Sequence, residues 1–122
     1  MSCSYQIDSD RNLVITTAWD TLTGAECVEH QRQLGSDAGF NSDFFQLLDF
    51  TRVTAVQIDL ATVVKLSDVE LFSGKSRRAF LAPNPLAYGM SRMFISYRKV
   101  TGEEQMQVFT DRDEALHWLF QD

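Results

Sequence analysis

The chain has 122 residues, of which 44% are hydrophobic and 23% are charged, and its formal net charge at pH 7 is −6. This length and composition predict a single globular domain, residues 1–122, with its own apolar core. The negative charge argues against general nucleic-acid binding, because that affinity comes mainly from Lys and Arg on phosphates. No apolar run approaches the ~20 residues of a membrane-spanning helix, so we expect no transmembrane segment.

Cysteine and histidine usage limits the chemistry that we expect. Cys3 and Cys27 are too few for a disulfide framework, and the first residues lack the pattern of a secretory signal peptide, so we expect a cytoplasmic protein. His30 and His117 have no ligand-spaced neighbours, which predicts neither a metal nor another cofactor. No base accompanies Cys27, so the sequence favours a core role for it and no enzyme activity.

The first half of the chain predicts a hairpin, a helix and a third strand. Strand-like segments rich in aromatic and β-branched residues occur at 5–8, 13–19 and 44–50. Thr23 and Glu26 form an S/T-x-x-E capping pattern at the start of the intervening helix, which runs to about Leu34 and which Gly35 can close.

The second half alternates helices with strands. Near-helical spacing of apolar residues over 59–73 predicts a helix with Asp59 as its N-cap. The apolar run at 79–82 is too short for a helix and ends at Pro83, which predicts a central or near-central strand. The remaining elements are a helix capped by Asn84 and ending at Thr101-Gly102, a strand over 104–110, and a helix from Asp111 to about Phe120.

The predicted order is therefore ββαβαβαβα. Buried strands that alternate with helices indicate an α/β fold, because the helices cover the faces of a largely parallel sheet. We expect one five-stranded mixed sheet, mostly parallel, with the helices packed on it.

Basic residues concentrate in a window without acids. All 17 carboxylate residues lie outside 71–102, whereas that window holds six of the 11 basic residues, namely Lys75, Arg77, Arg78, Arg92, Arg98 and Lys99. Such a patch fits an anionic ligand, an acidic partner or the protein's own acidic segments. Since successive strand residues face opposite ways, we expect at most one of Arg77 and Arg78 to join Arg92.

Two other features allow a functional and a structural interpretation. Asp49 ends the predicted third strand, with Thr51 nearby, at the sheet edge where open α/β folds bind ligands, but a strand-end aspartate is also a common turn or cap residue. The apolar stripe Met90, Met93, Phe94 and Tyr97 could line a lipid-accepting groove, but at helical spacing it is also typical of core.

Several segments together resemble a known family. They are Leu22-Thr23-x-x-Glu26, Leu48-Asp49-Phe50-Thr51-x-Val53-Thr54, Ser76-Arg77-Arg78-Ala79-Phe80 and Tyr88-Gly89-Met90-Ser91-Arg92-Met93-Phe94. With the element order, they make nearly the whole chain resemble the STAS-like domains (sulfate transporter and anti-sigma-factor antagonist), within them the sporulation stage II AA-like branch. The resemblance implies a mixed sheet with packed helices and regulatory protein binding, with the lipid-binding CRAL-TRIO domains as distant relatives by fold.

The chain departs from this family where anti-sigma-factor antagonists carry a phosphorylatable serine. That serine lies at the start of the helix after the third strand, where helix N–H groups favour a phosphate. Here the segment reads Ile58-Asp59-Leu60-Ala61-Thr62, without a serine. We therefore expect no phosphoswitch of that type.

Two functional classes follow. The first is a non-catalytic regulatory module that binds a protein partner or a second copy of itself. The second is a binder or carrier of a small anionic or lipid-like ligand. The candidate binding residues for either class are Asp49, Thr51, Arg77, Arg78, Tyr88 and Arg92.

Overall fold

The computed structural model describes residues 2–121, without the side chain of Thr101. In chain order its elements are β1 (Cys3–Asp8), β2 (Leu13–Thr23), α1 (Gly24–Gly35), β3 (Phe45–Gln57), α2 (Leu60–Ser67), β4 (Arg77–Leu81), α3 (Pro85–Thr101), β5 (Gln105–Phe109) and α4 (Arg112–Phe120). This order confirms the predicted ββαβαβαβα pattern. Within the described residues, no helix is both long enough and apolar enough to span a membrane.

The five strands form one sheet in the order β1-β2-β3-β4-β5. β1 pairs antiparallel with β2, and every other neighbouring pair is parallel. The mixed, mostly parallel sheet is thus confirmed. β4 lies beside the middle strand β3, which confirms its near-central position.

Side chains alternate between the two faces of this sheet. One face packs against α4 through the core cluster Leu13, Leu47, Ala79, Leu81, Phe109, Ala115 and Leu119. The opposite face packs beneath α1, α2 and α3, in clusters around Val53, Phe80 and Val14. Phe80 and Leu81 are each 3% exposed, as expected for a buried strand.

The helices begin at the residues that the sequence indicates. At each N-cap a side-chain oxygen accepts a hydrogen bond from a backbone N–H of the first turn, and the capping residues are Thr23, Asp59, Asn84 and Asp111. The Glu26 carboxylate does not close the usual capping box, because it accepts hydrogen bonds from the backbone N–H and Oγ of Ser2 at 2.6 and 2.5 Å. This contact joins the start of β1 to α1.

Three element ends differ by four residues or more from the sequence prediction. β2 continues to Thr23 rather than ending at residue 19, and β3 continues to Gln57 rather than ending at residue 50, because the two strands pair as far as Thr23 opposite Gln57. α2 ends at Ser67 rather than continuing to residue 73, since the following segment carries Phe72 into the core. There Phe72 packs edge-on against Phe40, with ring centroids 5.2 Å apart.

Gly102 follows α3 and lies against a buried guanidinium. A Cβ atom built on Gly102 would come within 2.4 Å of Arg98 Nε and 2.6 Å of Glu104 Oε1. Arg98 cannot move away freely, because it donates to both Glu104 carboxylate oxygens and to the carbonyl oxygen of Ser67. A side chain at position 102 therefore displaces a buried ion pair.

We predict that Gly102→Ala lowers the free energy of unfolding by about 2–3 kcal/mol, because displacing a buried ion pair leaves charges uncompensated. Gly89→Ala is the matched control. Gly89 is exposed in the second turn of α3, and a Cβ atom built on it would contact no described residue within 4 Å apart from its chain neighbours and its own helix backbone. We expect Gly89→Ala to raise the same quantity by about 0.5–1 kcal/mol. Urea denaturation measures both, and a Gly102→Ala protein as stable as wild type would contradict the packing described.

Candidate functional site

A cavity lies between the sheet and the helical layer of α1, α2 and α3. The space open to the centre of a water-sized sphere is about 90 Å³, enough for roughly six waters. Its lining is mostly apolar and includes Leu48, Phe50, Val56, Ile58, Val63, Leu66, Phe80, Ala87, Met90 and Phe94. The cavity is therefore of a size and character that suit a small apolar group.

Polar side chains form a continuous chain along the sheet side of this cavity. Arg78 Nε donates to Gln46 Oε1 at 2.9 Å, and Gln46 Nε2 donates to Thr16 Oγ1 at 2.9 Å. Thr16 Oγ1 in turn lies 2.9 Å from His30 Nε2. The chain thus links β4, β3 and β2 to α1, and all four residues line the cavity.

The chemistry of arginine fixes the direction of the first two hydrogen bonds, and the direction of the third is assigned from them. Because a guanidinium only donates, Gln46 must present its oxygen to Arg78 and its amide nitrogen to Thr16. The Thr16 hydroxyl is then free to donate its own hydrogen to His30 Nε2. This assignment makes His30 neutral, with its hydrogen on Nδ1.

Arg78 carries a charge in an almost fully buried position, with 5% of the residue exposed. Its guanidinium carbon lies 4.6 Å from the ring centroid of Phe72 and 5.4 Å from that of Phe94, within the range of cation–π attraction. Burial lowers the pKa of Arg78 to about 10, and the Glu104 carboxylate opposes this change. Arg78 is therefore protonated at neutral pH.

Glu104 is shared between two guanidinium groups. Its Oε2 accepts from Arg78 Nη1 at 3.1 Å, and its Oε1 accepts from Arg98 Nη2 at 3.1 Å. Burial raises the pKa of the Glu104 carboxyl, but the hydrogen bond from Arg98 and the charge of Arg78 outweigh burial and hold that pKa below its usual value. The three side chains together carry one net positive charge.

The structure does not bring the three predicted arginines together. Arg77 lies on the α4 face, where its Nη1 donates to the carbonyl oxygens of Trp118, Leu119 and Gln121. Arg78 points to the opposite face, and Arg92 is exposed on α3. Tyr88 is half-buried one helical turn before Arg92, and neither lines the cavity.

Asp49 and Thr51 also lie away from the cavity. Asp49 lies within β3 rather than at its end, and its side chain faces α4, where Arg112 Nη1 donates to Oδ2 at 2.9 Å. Its Oδ1 accepts from the backbone N–H of Thr51, which is itself exposed. The carboxylate is therefore already engaged on both oxygens.

The thiols of the cavity are poor nucleophiles. Burial, followed by the charge of Glu26, raises the pKa of Cys3 to about 11. Burial also raises the pKa of Cys27 to about 12, with smaller effects from Cys3 and Glu26. In the part of the chain that the structure describes, no group of three or more His, Cys, Asp or Glu side chains is placed to hold a metal ion.

Sequence reasoning missed most of the polar chain. Thr16 and Gln46 interrupt apolar strands on the inward-facing side, and this interruption is the signal that could have identified them. Glu104 lies two residues beyond the acid-free window, so a count within that window leaves out the carboxylate that pairs with Arg78. The place of His30 in the chain could not be predicted from the sequence, because its partner Thr16 lies on a different element.

Comparison with known proteins shows the fold. No protein-family model and no curated protein matches this chain. Among solved structures, it is similar to an uncharacterized protein from the DUF3478 family with a SpoIIAA-like fold, from Shewanella loihica PV-4. The two are 19% identical, the alignment covers 97% of this chain and 94% of the other, and the TM-score is 0.62. The chain thus has a SpoIIAA-like fold, as the resemblance of its motifs predicted.

We predict a pH dependence of stability that arises from His30. Burial, assisted by the charge of Arg78, lowers the pKa of His30 from 6.5 to about 4. As the pH falls below 6.5, the unfolded chain therefore binds a proton that the folded protein excludes. The His30 contribution is complete above pH 6.5 and is lost between pH 6.5 and 4, with a total of about 3 kcal/mol.

The measurement is the free energy of unfolding across this pH range for wild type and two variants. His30→Gln should remove the decline that belongs to His30, whereas His117→Gln, at an exposed position of α4, should keep it. A His30 ring that titrates near its ordinary value by NMR would contradict the assigned hydrogen-bond direction.

Proposed function

We propose that this chain is a non-catalytic, STAS-like binding module that holds a small lipid-like ligand in the cavity beneath α1, α2 and α3. The observation that carries this proposal is the cavity itself. Its lining is apolar except for a few convergent polar groups, which is the usual composition of a small-molecule site. This is the second of the two functions that the sequence suggests.

The polar groups of the cavity support binding rather than catalysis. Both thiols keep their protons at neutral pH, and burial lowers the pKa of His30 to about 4, so its ring is neutral at that pH. The Thr16 hydroxyl is hydrogen-bonded to His30, but a ring with so low a pKa is a weak base and activates that hydroxyl little.

A regulatory role through a protein partner is the second proposal, and the surface beside the cavity favours it. Leu60 and Val64 on α2 are 53% and 36% exposed, and Leu86 in the first turn of α3 is 60% exposed. Exposed apolar side chains on neighbouring helices suit contact with another protein or a second copy. Since α2 and α3 also wall the cavity, a ligand and a partner would touch the same helices.

We predict that octanol, octanoate or both bind the cavity of the wild-type protein. Ala87→Met should abolish binding, because Ala87 is 3% exposed and lines the cavity, so a longer side chain fills it. Ala61→Met, on the exposed side of α2, is the matched control and should bind as wild type does. Calorimetric titration measures affinity, and the rise in Tm with ligand gives an independent measure.

Each result either supports or overturns the binding proposal. The proposal is supported if Ala87→Met folds as wild type does but no longer binds either compound. Failure of the wild type to bind either compound would overturn it, and so would equal binding by Ala87→Met. Native mass spectrometry of the purified protein adds a second test, since a retained ligand should be present in wild type and Ala61→Met and missing from Ala87→Met.

We also propose that no phosphoswitch operates at the start of α2. The Asp59 carboxylate already accepts from the backbone N–H of Thr62 at 2.8 Å, so a fixed anion occupies the helix start that a phosphate would use. We predict no phosphate between Thr51 and Thr62 after incubation with an anti-sigma-type kinase, measured by phosphopeptide mapping. Stoichiometric modification in that segment would contradict the prediction.

A further inference from the structure

Arg78 stands apart from the other residues that line the cavity. Among the described lining residues, it is the only one with a charged side chain, and it lies deep, beneath the helices and between aromatic rings. Its charge is retained at neutral pH despite burial. Any ligand that fills the cavity therefore meets a cation.

One nitrogen of the Arg78 guanidinium, Nη2, has no hydrogen-bond acceptor among the described residues. The other two nitrogens are engaged, since Nε donates to Gln46 and Nη1 donates to Glu104. Throughout residues 2–121, no described side-chain nitrogen or oxygen is both sealed from solvent and without a partner. Nη2 therefore keeps some accessible surface, and Arg78 is one of the residues that line the cavity.

The charges around Arg78 also favour an anionic ligand in the cavity. The only described carboxylate paired with Arg78 is Glu104, which is shared with Arg98. A buried cation with a shared counter-ion gains from a further negative group, because its own desolvation is only partly offset. One negative charge is sufficient to neutralise the cluster of Arg78, Arg98 and Glu104.

We propose that the cavity ligand is a fatty-acid-like monocarboxylate, bound with its carboxylate on Arg78 Nη2 and its alkyl chain against the apolar lining, an inference that rests on the proposed binding function. A guanidinium and a carboxylate form a charge-assisted hydrogen bond, which is stronger than a neutral one. Phe80, Phe94 and Met90 supply the apolar contacts beside it. This places the anion at Arg78 rather than at Arg77 or Arg92.

His30 provides a second donor toward the same ligand. Its Nε2 is occupied by Thr16, and the hydrogen on Nδ1 has no acceptor among the described residues. His30 also lines the cavity. The polar chain from Arg78 through Gln46 and Thr16 holds the His30 ring in place, so both donors are positioned before the ligand arrives.

A monocarboxylate fits better than a phosphate monoester. At neutral pH a phosphate monoester carries between one and two negative charges, which exceeds the single positive charge of the cluster. The excess charge would remain buried without a partner, at a large desolvation cost. We therefore expect octyl phosphate to bind more weakly than octanoate.

The test compares octanoate, octanol and octyl phosphate on the same protein by calorimetric titration at pH 7. The carboxylate of octanoate is ionised at this pH, whereas octanol offers the same chain without charge. We expect octanoate to bind wild type about tenfold to a hundredfold more tightly than octanol. This comparison needs no substitution, so it does not depend on how a variant folds.

Variants then locate the anion. Arg78→Gln should bind octanoate no more tightly than octanol, while octanol still binds. Arg78→Lys should keep part of the preference for octanoate over octanol. Arg52→Gln, an exposed site outside the cavity, removes the same charge and should leave the preference unchanged.

The outcomes distinguish this inference from the function on which it rests. Equal affinity for octanoate and octanol would overturn the monocarboxylate and leave the binding function standing. Tighter binding of octyl phosphate would also overturn it, as would loss of the preference in Arg92→Gln but not in Arg78→Gln. If no compound binds, both proposals are wrong.

Discussion

The buried charge of Arg78 is the constraint on which the helical side of this fold depends. A guanidinium removed from water costs several kcal/mol unless its surroundings replace the lost hydration. Here the replacement comes from Gln46 on β3, from Glu104 before β5, and from the aromatic rings of Phe72 and Phe94. Each partner belongs to a different segment, so the charge is tolerated only when all of these segments are in place.

Local sequence patterns were sufficient to predict the order of the elements and most of their starts. Capping residues such as Asp59 and Asn84 act within one helical turn, so their effect can be read from neighbouring residues. The end of β3 could not be read in this way. Its length is set by pairing with β2, and Gln57 lies opposite Thr23, 34 positions earlier in the chain.

The site was predicted less completely than the fold, for a related reason. Arg78 was identified from a local concentration of basic residues, together with Arg77 and Arg92. Strand alternation separates Arg78 from Arg77, and Arg92 faces solvent on α3. The residues that do surround Arg78 come from far along the chain, with Gln46 32 positions away and Glu104 26 positions away. Only the assembled sheet brings them together.

The contact between Gly102 and the Arg98–Glu104 ion pair has a consequence for how this sequence can evolve. The three positions lie within seven residues, and the guanidinium occupies the volume that a side chain at position 102 would take. Substitutions there are not independent, because a methyl group at 102 becomes harmless only after the arginine or the glutamate has gone. Relatives that keep the ion pair should keep the pattern Arg-x-x-x-Gly-x-Glu as a unit, whereas relatives that lose the arginine should vary freely at the glycine position and keep the glutamate as the partner of Arg78.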